Sequence, residues 1–174
     1  GILNNYPIHF LEFAEANGNT FENVPIFKEA NIDLYNSLKH QYRISGLEAK
    51  NTVNEKAVVF LKDLKAKGYT VLLLSARPYE KIKRLYNDTL NWLAENNFEY
   101  DFLFFNKEKD KYIIDNLKGC NISFTVDDDI SNASNFSYYF KSYLMTNITL
   151  YDHRSYASVN QKVKIINSFN QIAL

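Results

Sequence analysis

Three consecutive carboxylates, Asp127, Asp128 and Asp129, come directly after a short apolar run, Ile122 to Val126. Adjacent carboxylates repel one another, so the cluster needs solvent, a shared proton or a cation among its members. A buried strand that delivers acids to the carboxyl edge of a parallel sheet places them where open α/β folds bind ligands. The plainer alternative is a solvated turn that caps the next helix, since Asp is a favoured N-cap. Two further stretches repeat the arrangement. Ser75-Ala76-Arg77 follows the apolar run Tyr69 to Leu74, and Lys107, Lys109 and Lys111 follow the run Tyr100 to Phe105. A hydroxyl and a free backbone N–H at a helix start can bind phosphate, a lysine can neutralise it, and carboxylates can hold the Mg²⁺ that shields its charge. Singly, each has an ordinary explanation: Ser75 as an N-cap, the lysines as a solvated helix start, Arg77 as a surface group. Their common position at strand ends argues for one site, because a right-handed parallel sheet would bring all three to one edge.

The elements that must position these residues are read from the hydrophobic pattern. Pro7 suits a first helical position, and Phe10, Leu11, Phe13 and Ala14 form an apolar face that Asn17-Gly18 ends. A second start at Pro25 leads into Ile26, Ala30, Leu34 and Leu38 at helical spacing toward Gly46, so the region from Tyr6 to about Lys50 reads as helical. From Thr52 the pattern changes. Thr52-Val-Asn-Glu55 is a capping box ahead of Ala57, Val58, Leu61 and Leu64, a helix that Gly68 closes. Tyr69 to Ser75, apolar on both faces, is the best candidate for a central parallel strand. Helix from about Tyr79 to Asn96, strand from Tyr100, helix from Asp110 to Leu117, strand from Ile122, helix from Ile130, strand from Ile148 to Tyr151 and helix from Val159 to about Ile172 complete an alternation that predicts a parallel sheet with helices on both faces.

Composition narrows the function classes. Lys+Arg 20 against Asp+Glu 20 gives a net charge of zero, which removes the general electrostatic case for nucleic acid or an anionic membrane. The 13 Tyr and 13 Phe are spread along the chain, which favours a ring-filled core over a stacking platform. No apolar run approaches a membrane span and the N-terminus shows no signal pattern, so the expectation is a cytoplasmic protein. The single cysteine, Cys120, can make no internal disulfide and, lying just ahead of an apolar strand, is expected to be buried and inert.

From Thr52 to about Asn160 the chain resembles the haloacid dehalogenase superfamily of phosphohydrolases. Leu-Leu-Leu-Ser75-Ala-Arg-Pro is similar to that superfamily's second motif, an apolar strand ending in Ser or Thr. Lys109 or Lys111 matches the third, a lysine just ahead of a helix, and Asp127-Asp128 with Asn132 matches the fourth. The spacing between Ser75 and the acids also suits the phosphatase domain of polynucleotide kinases and the deoxyribonucleotidases, and Tyr151-Asp-His-Arg-Ser-Tyr156 resembles a segment after the last strand in the latter. The resemblance implies a three-layer, Rossmann-type parallel sheet over residues 51–174 and a small helical cap over residues 1–50. It implies an Mg²⁺-dependent phosphatase acting through an aspartyl-phosphate on a small phosphorylated substrate such as a nucleotide or sugar phosphate. Ser75 and the Ala76 N–H would hold the phosphoryl oxygens, with Arg77 adding a contact. Lys109 or Lys111 would neutralise nucleophile and phosphate, and Asp127 and Asp128 would bind Mg²⁺ directly or through water.

One motif departs from the family pattern. The superfamily's first motif is a strand ending Asp-x-Asp, whose first Asp attacks phosphorus and whose second serves as general acid and base. Here the first aspartate is Asp33, inside a predicted helix, while Gly1-Ile-Leu-Asn-Asn resembles the residues just past the second Asp of that motif. The expectation is an acid pair ahead of Gly1. The rival expectation is a catalytically silent domain that keeps a phosphate and metal cradle and binds a ligand or partner. A receiver domain phosphorylated on Asp127 fits poorly, because receivers carry their acid pair on the first strand.

Overall fold

A computed structural model describes residues 2–146 and 159–174 of the chain. It is a mixed α/β protein whose strand pairs are all parallel. The helical segment comprises α1 (Tyr6–Ala16), α2 (Val24–Ala30) and α3 (Ile32–Ile44), followed by a 3₁₀ turn, Leu47–Lys50. The periodicity from Pro25 to Gly46 runs on across Asn31, but the structure breaks there. Asn31 is extended at φ −160°, ends α2, and its side chain accepts the Leu34 N–H at 3.0 Å to cap α3. Asn competes with the helix ladder through such local bonds, and here it wins.

The two ends of the helical segment are tied together. Asn4 and Val53 form an antiparallel bridge, the Asn54 N–H donates to Leu3 O at 2.9 Å, and the Asn54 side chain donates to Ile2 O at 2.9 Å. This long-range pairing displaces the expected capping box. Helix α4 (Glu55–Ala66) starts after Asn54 with no side-chain cap, and the Thr52 N–H donates to His9 Nε2 at 3.1 Å instead.

Beyond α4 the elements are β1 (Leu72–Ser75), α5 (Arg84–Glu95), β2 (Phe102–Phe105), α6 (Lys109–Asn116), β3 (Thr125–Asp127), α7 (Ile130–Phe136), β4 (Ser142–Met145) and β5 (Lys164–Ile166). They form two small sheets. β1 pairs with β2, Leu72 opposite Phe102 and Ser75 opposite Phe105, while β3, β4 and β5 lie in that order with Asp127 opposite Leu144. Among the described residues β1 is therefore laddered on one side only, and so is β3. All four residues of β1 are half-buried, whereas every residue of β4 is buried.

Three expectations from the pattern are corrected. The segment from Val159 to Ile172 is not a helix: Lys164–Ile166 is β5, and Phe169–Gln171 is a single 3₁₀ turn. Pairing with β4 outweighs the local helical spacing there. The segment from Tyr79 to Lys83 is a turn built on Pro78 O, which accepts from Ile82 N at 3.0 Å, and α5 starts only at Arg84. Cys120 is exposed rather than buried. The strand expected at residues 148–151 and the motif-like segment at 151–156 lie outside the described residues.

Two apolar cores result. Phe10, Ala14, Val24, Phe27, Tyr35, Leu38 and Tyr42 form the core of the helical segment. A second core gathers Leu61 and Leu64 of α4, Trp92 and Leu93 of α5, and Tyr143, Met145 and Ile166 of the three-stranded sheet, with Leu73 of β1 and Val126 of β3 packed against it. β1 and β3 thus share a core without sharing a ladder.

Candidate functional site

The end of β3 gathers three carboxylates and a lysine. Asp127 closes the strand, and its carboxylate, 5 % exposed, is 2.8 Å through Oδ2 from Lys109 Nζ. Its Oδ1 accepts the Asp129 N–H at 2.9 Å and the Asn132 side-chain N–H at 3.3 Å. Lys109 is the first residue of α6, where a cation opposes the helix dipole; the buried carboxylate compensates for that position. Asp129 does what a helix-capping acid should, accepting the Asn132 backbone N–H at 2.9 Å at the start of α7.

Burial pushes Asp127 up, with the Asp128 charge adding to the effect and Lys109 opposing it.

Lys109, not Lys111, reaches the acids. Lys111 lies on the solvated face of α6, paired at 2.7 Å with Glu108, both side chains about two-thirds exposed. Lys107 is exposed as well. Ser75 ends β1, its Oγ accepting the Arg77 N–H at 3.3 Å, and Ala76 is exposed in the turn after it. Arg77 turns toward the helical segment. Its Nε lies 3.2 Å from Glu48 Oε1 and its Nη1 donates to Thr89 Oγ1 at 2.6 Å, while Thr89 donates to Leu85 O on α5.

Glu48, in the 3₁₀ turn, is only 6 % exposed and stands between two guanidinium groups, Arg77 and Arg43, the latter 3.5 Å away. The Arg43 Nε and Glu48 Oε2 are close enough to attract but not aligned, so neither makes a hydrogen bond. This seam was not among the residues that sequence reasoning singled out. A signal existed: Tyr35, Lys39 and Arg43 recur every four residues and therefore share one face of α3.

No protein-family model, no curated protein and no solved structure matches this chain.

Proposed function

We propose that this protein is an Mg²⁺-dependent phosphomonoester hydrolase of the haloacid dehalogenase type, acting on a small phosphorylated substrate such as a nucleotide or sugar phosphate. The observation that carries the reading is the buried Lys109–Asp127 pair at the end of β3, with Asp128 beside it. In this reading Lys109 neutralises negative charge on the phosphoryl group, and Ser75 with the Ala76 N–H binds its oxygens. The attacking carboxylate is carried by a strand ahead of Gly1, laid between β1 and β3 in a three-layer sheet. The open sides of those two strands, which already share a core, support that arrangement. So does the half-exposure of β1, whose apolar residues would be covered by such a strand.

The residues present fit a hard cation in part. Among the described residues no three acidic, histidine or cysteine side chains converge on one point. Mg²⁺, however, keeps several waters and is held by one or two carboxylates together with the phosphate itself. Asp127 and Asp128 would hold it, and when bound it would shield the charge of the phosphoryl oxygens.

The test is hydrolysis of an aryl phosphate and a panel of nucleotide and sugar phosphates, with and without Mg²⁺. It is run on the 174-residue chain and on the complete translation product of its gene. Mg²⁺-dependent turnover by the complete product, lost in Asp127→Asn and Asp128→Asn, is the expected result. Failure of the complete product to hydrolyse any member of the panel would overturn the proposal and leave a ligand-binding domain.

A further inference from the structure

The helical segment is rich in polar groups that its own fold does not satisfy. Lys39 on α3 donates to Tyr35 Oη at 2.8 Å, and its ammonium lies 5.3 and 5.1 Å from the ring centroids of Tyr6 and Tyr35. Among the described residues no carboxylate stands within ion-pair distance of it. One turn further on, Arg43 keeps its buried Nε without a hydrogen-bond acceptor. The hydroxyl of Tyr6 and the side-chain NH₂ of Asn51 are buried and unpartnered as well. A buried polar atom left unpaired costs about 1–3 kcal/mol. Against these three donors stands one acceptor without a hydrogen bond, Glu48 Oε2, 3.5 Å from Arg43 Nε, so donors outnumber acceptors here.

We propose that Lys39 and Arg43, with the Tyr6 hydroxyl, form an oxyanion-binding site on the helical segment, separate from the acids at the end of β3. The ligand chemistry comes from the balance of groups. Two cations and neutral donors face a single buried carboxylate, Glu48, whose charge is already shared between Arg43 and Arg77. An anion with several acceptor oxygens, phosphate or carboxylate, supplies what the site lacks. The rings of Tyr6 and Tyr35 wall the ammonium on two sides and keep water from it, which strengthens its attraction for an anion.

The electrostatics agree with this. Burial, then the charges of Arg43 and Lys28, lower Lys39 to about 7, while Glu48 and Asp128 pull weakly the other way. A bound anion would restore the full charge of the ammonium. The anion site is independent of the phosphatase reading.

The experiment is titration of inorganic phosphate, and separately acetate, into the 174-residue chain without Mg²⁺, monitored by calorimetry and by the Nζ resonance of Lys39. Saturable binding of either anion with a shift of that resonance is expected. Lys39→Met should weaken it tenfold or more, Lys39→Arg should restore most of it, and Lys62→Met, at an exposed position, should leave it intact. Thermal melts of each variant separate lost binding from lost folding. Binding unchanged in a folded Lys39→Met, or no binding of either anion to the parent chain, would overturn the proposal. Because the readout is binding without Mg²⁺, the result is independent of whether the acids support hydrolysis.

Discussion

In the helical segment the rings of Phe10, Phe27, Tyr35 and Tyr42 are shut off from solvent, and Phe10 alone contacts four other rings, with centroids 5.4–6.0 Å away. Yet four of the five buried polar side-chain atoms without a partner, among the described residues, belong to residues 6–51. The α/β region divides its problem differently. There the charged site is satisfied, with both Asp127 oxygens engaged, while among the described residues every strand except β4 keeps an open side. Ring packing is tolerant, since burial depends mainly on area and admits many orientations. Hydrogen bonding is directional, so one misaligned guanidinium leaves two atoms unpaired. The helical segment is thus complete in its apolar packing and incomplete in its polar bonding, and the α/β region is incomplete in its ladders.

The largest test of this contrast is Phe10→Ala. Removing a fully buried ring from the centre of the aromatic cluster should cost about 3–5 kcal/mol in urea unfolding. Hydrogen exchange should accelerate first in α1, α2 and α3 if the two cores are energetically distinct, whereas uniform acceleration would show that they unfold as one. Lys109→Met strikes the other region. It leaves Asp127 buried without its cation and should cost about 3 kcal/mol, while Lys111→Met, at an exposed pair, should stay within about 0.5 kcal/mol. Equal losses would mean that Lys109 and Asp127 do not form a desolvated pair.

A third test reads the buried ammonium by pH. Lys39 has a folded pKa of about 7 against the ordinary 10.5, so between those values the unfolded chain binds more protons than the folded one. Its contribution therefore gains stability as pH rises from about 7 toward 10.5, by roughly 2–4 kcal/mol, and Lys39→Met should flatten that rise. Above about pH 10 the trend reverses, because burial raises Tyr6 and Tyr35 and the unfolded chain gives up their protons first. Unfolding free energy measured from about pH 6 to about pH 11 on parent and variant checks both arms.

The smallest effect concerns the joint between the regions. Gly46 ends α3 at φ +82°, and a Cβ there would overlap the Arg84 guanidinium, the same group that donates to Ile44 O at 3.0 Å. Gly46→Ala should cost about 1–2 kcal/mol, part from the left-handed backbone and part from displacing Arg84. A loss under about 0.5 kcal/mol would show that Arg84 is free to move aside and contributes little to holding α5 against the helical segment.

Much of the molecule was readable as text. The boundaries of α1, α4 and α6, the positions of β1, β2 and β3 to within a few residues, the cap at Asp129 and the ring-filled core all rest on local signals: period, Gly and Pro punctuation, and Asx capping. Those signals are carried by neighbours in the chain, so the chain alone expresses them. What it could not express is pairing across distance. The buried strand β4 is four residues long without flanking turn signals, and β5 takes its conformation from β4 rather than from its own spacing. The choice of Lys109 over Lys111 depends on which way α6 faces when it packs against α7, and the turning of Arg77 toward Glu48 depends on a glutamate 29 positions earlier in the chain. Sequence spacing determined which chemistry was on offer, a lysine, a serine and paired acids at strand ends. Tertiary packing decided which of those groups meet, because the free energy of a charge contact depends on separation and burial, and neither is a local property of the chain.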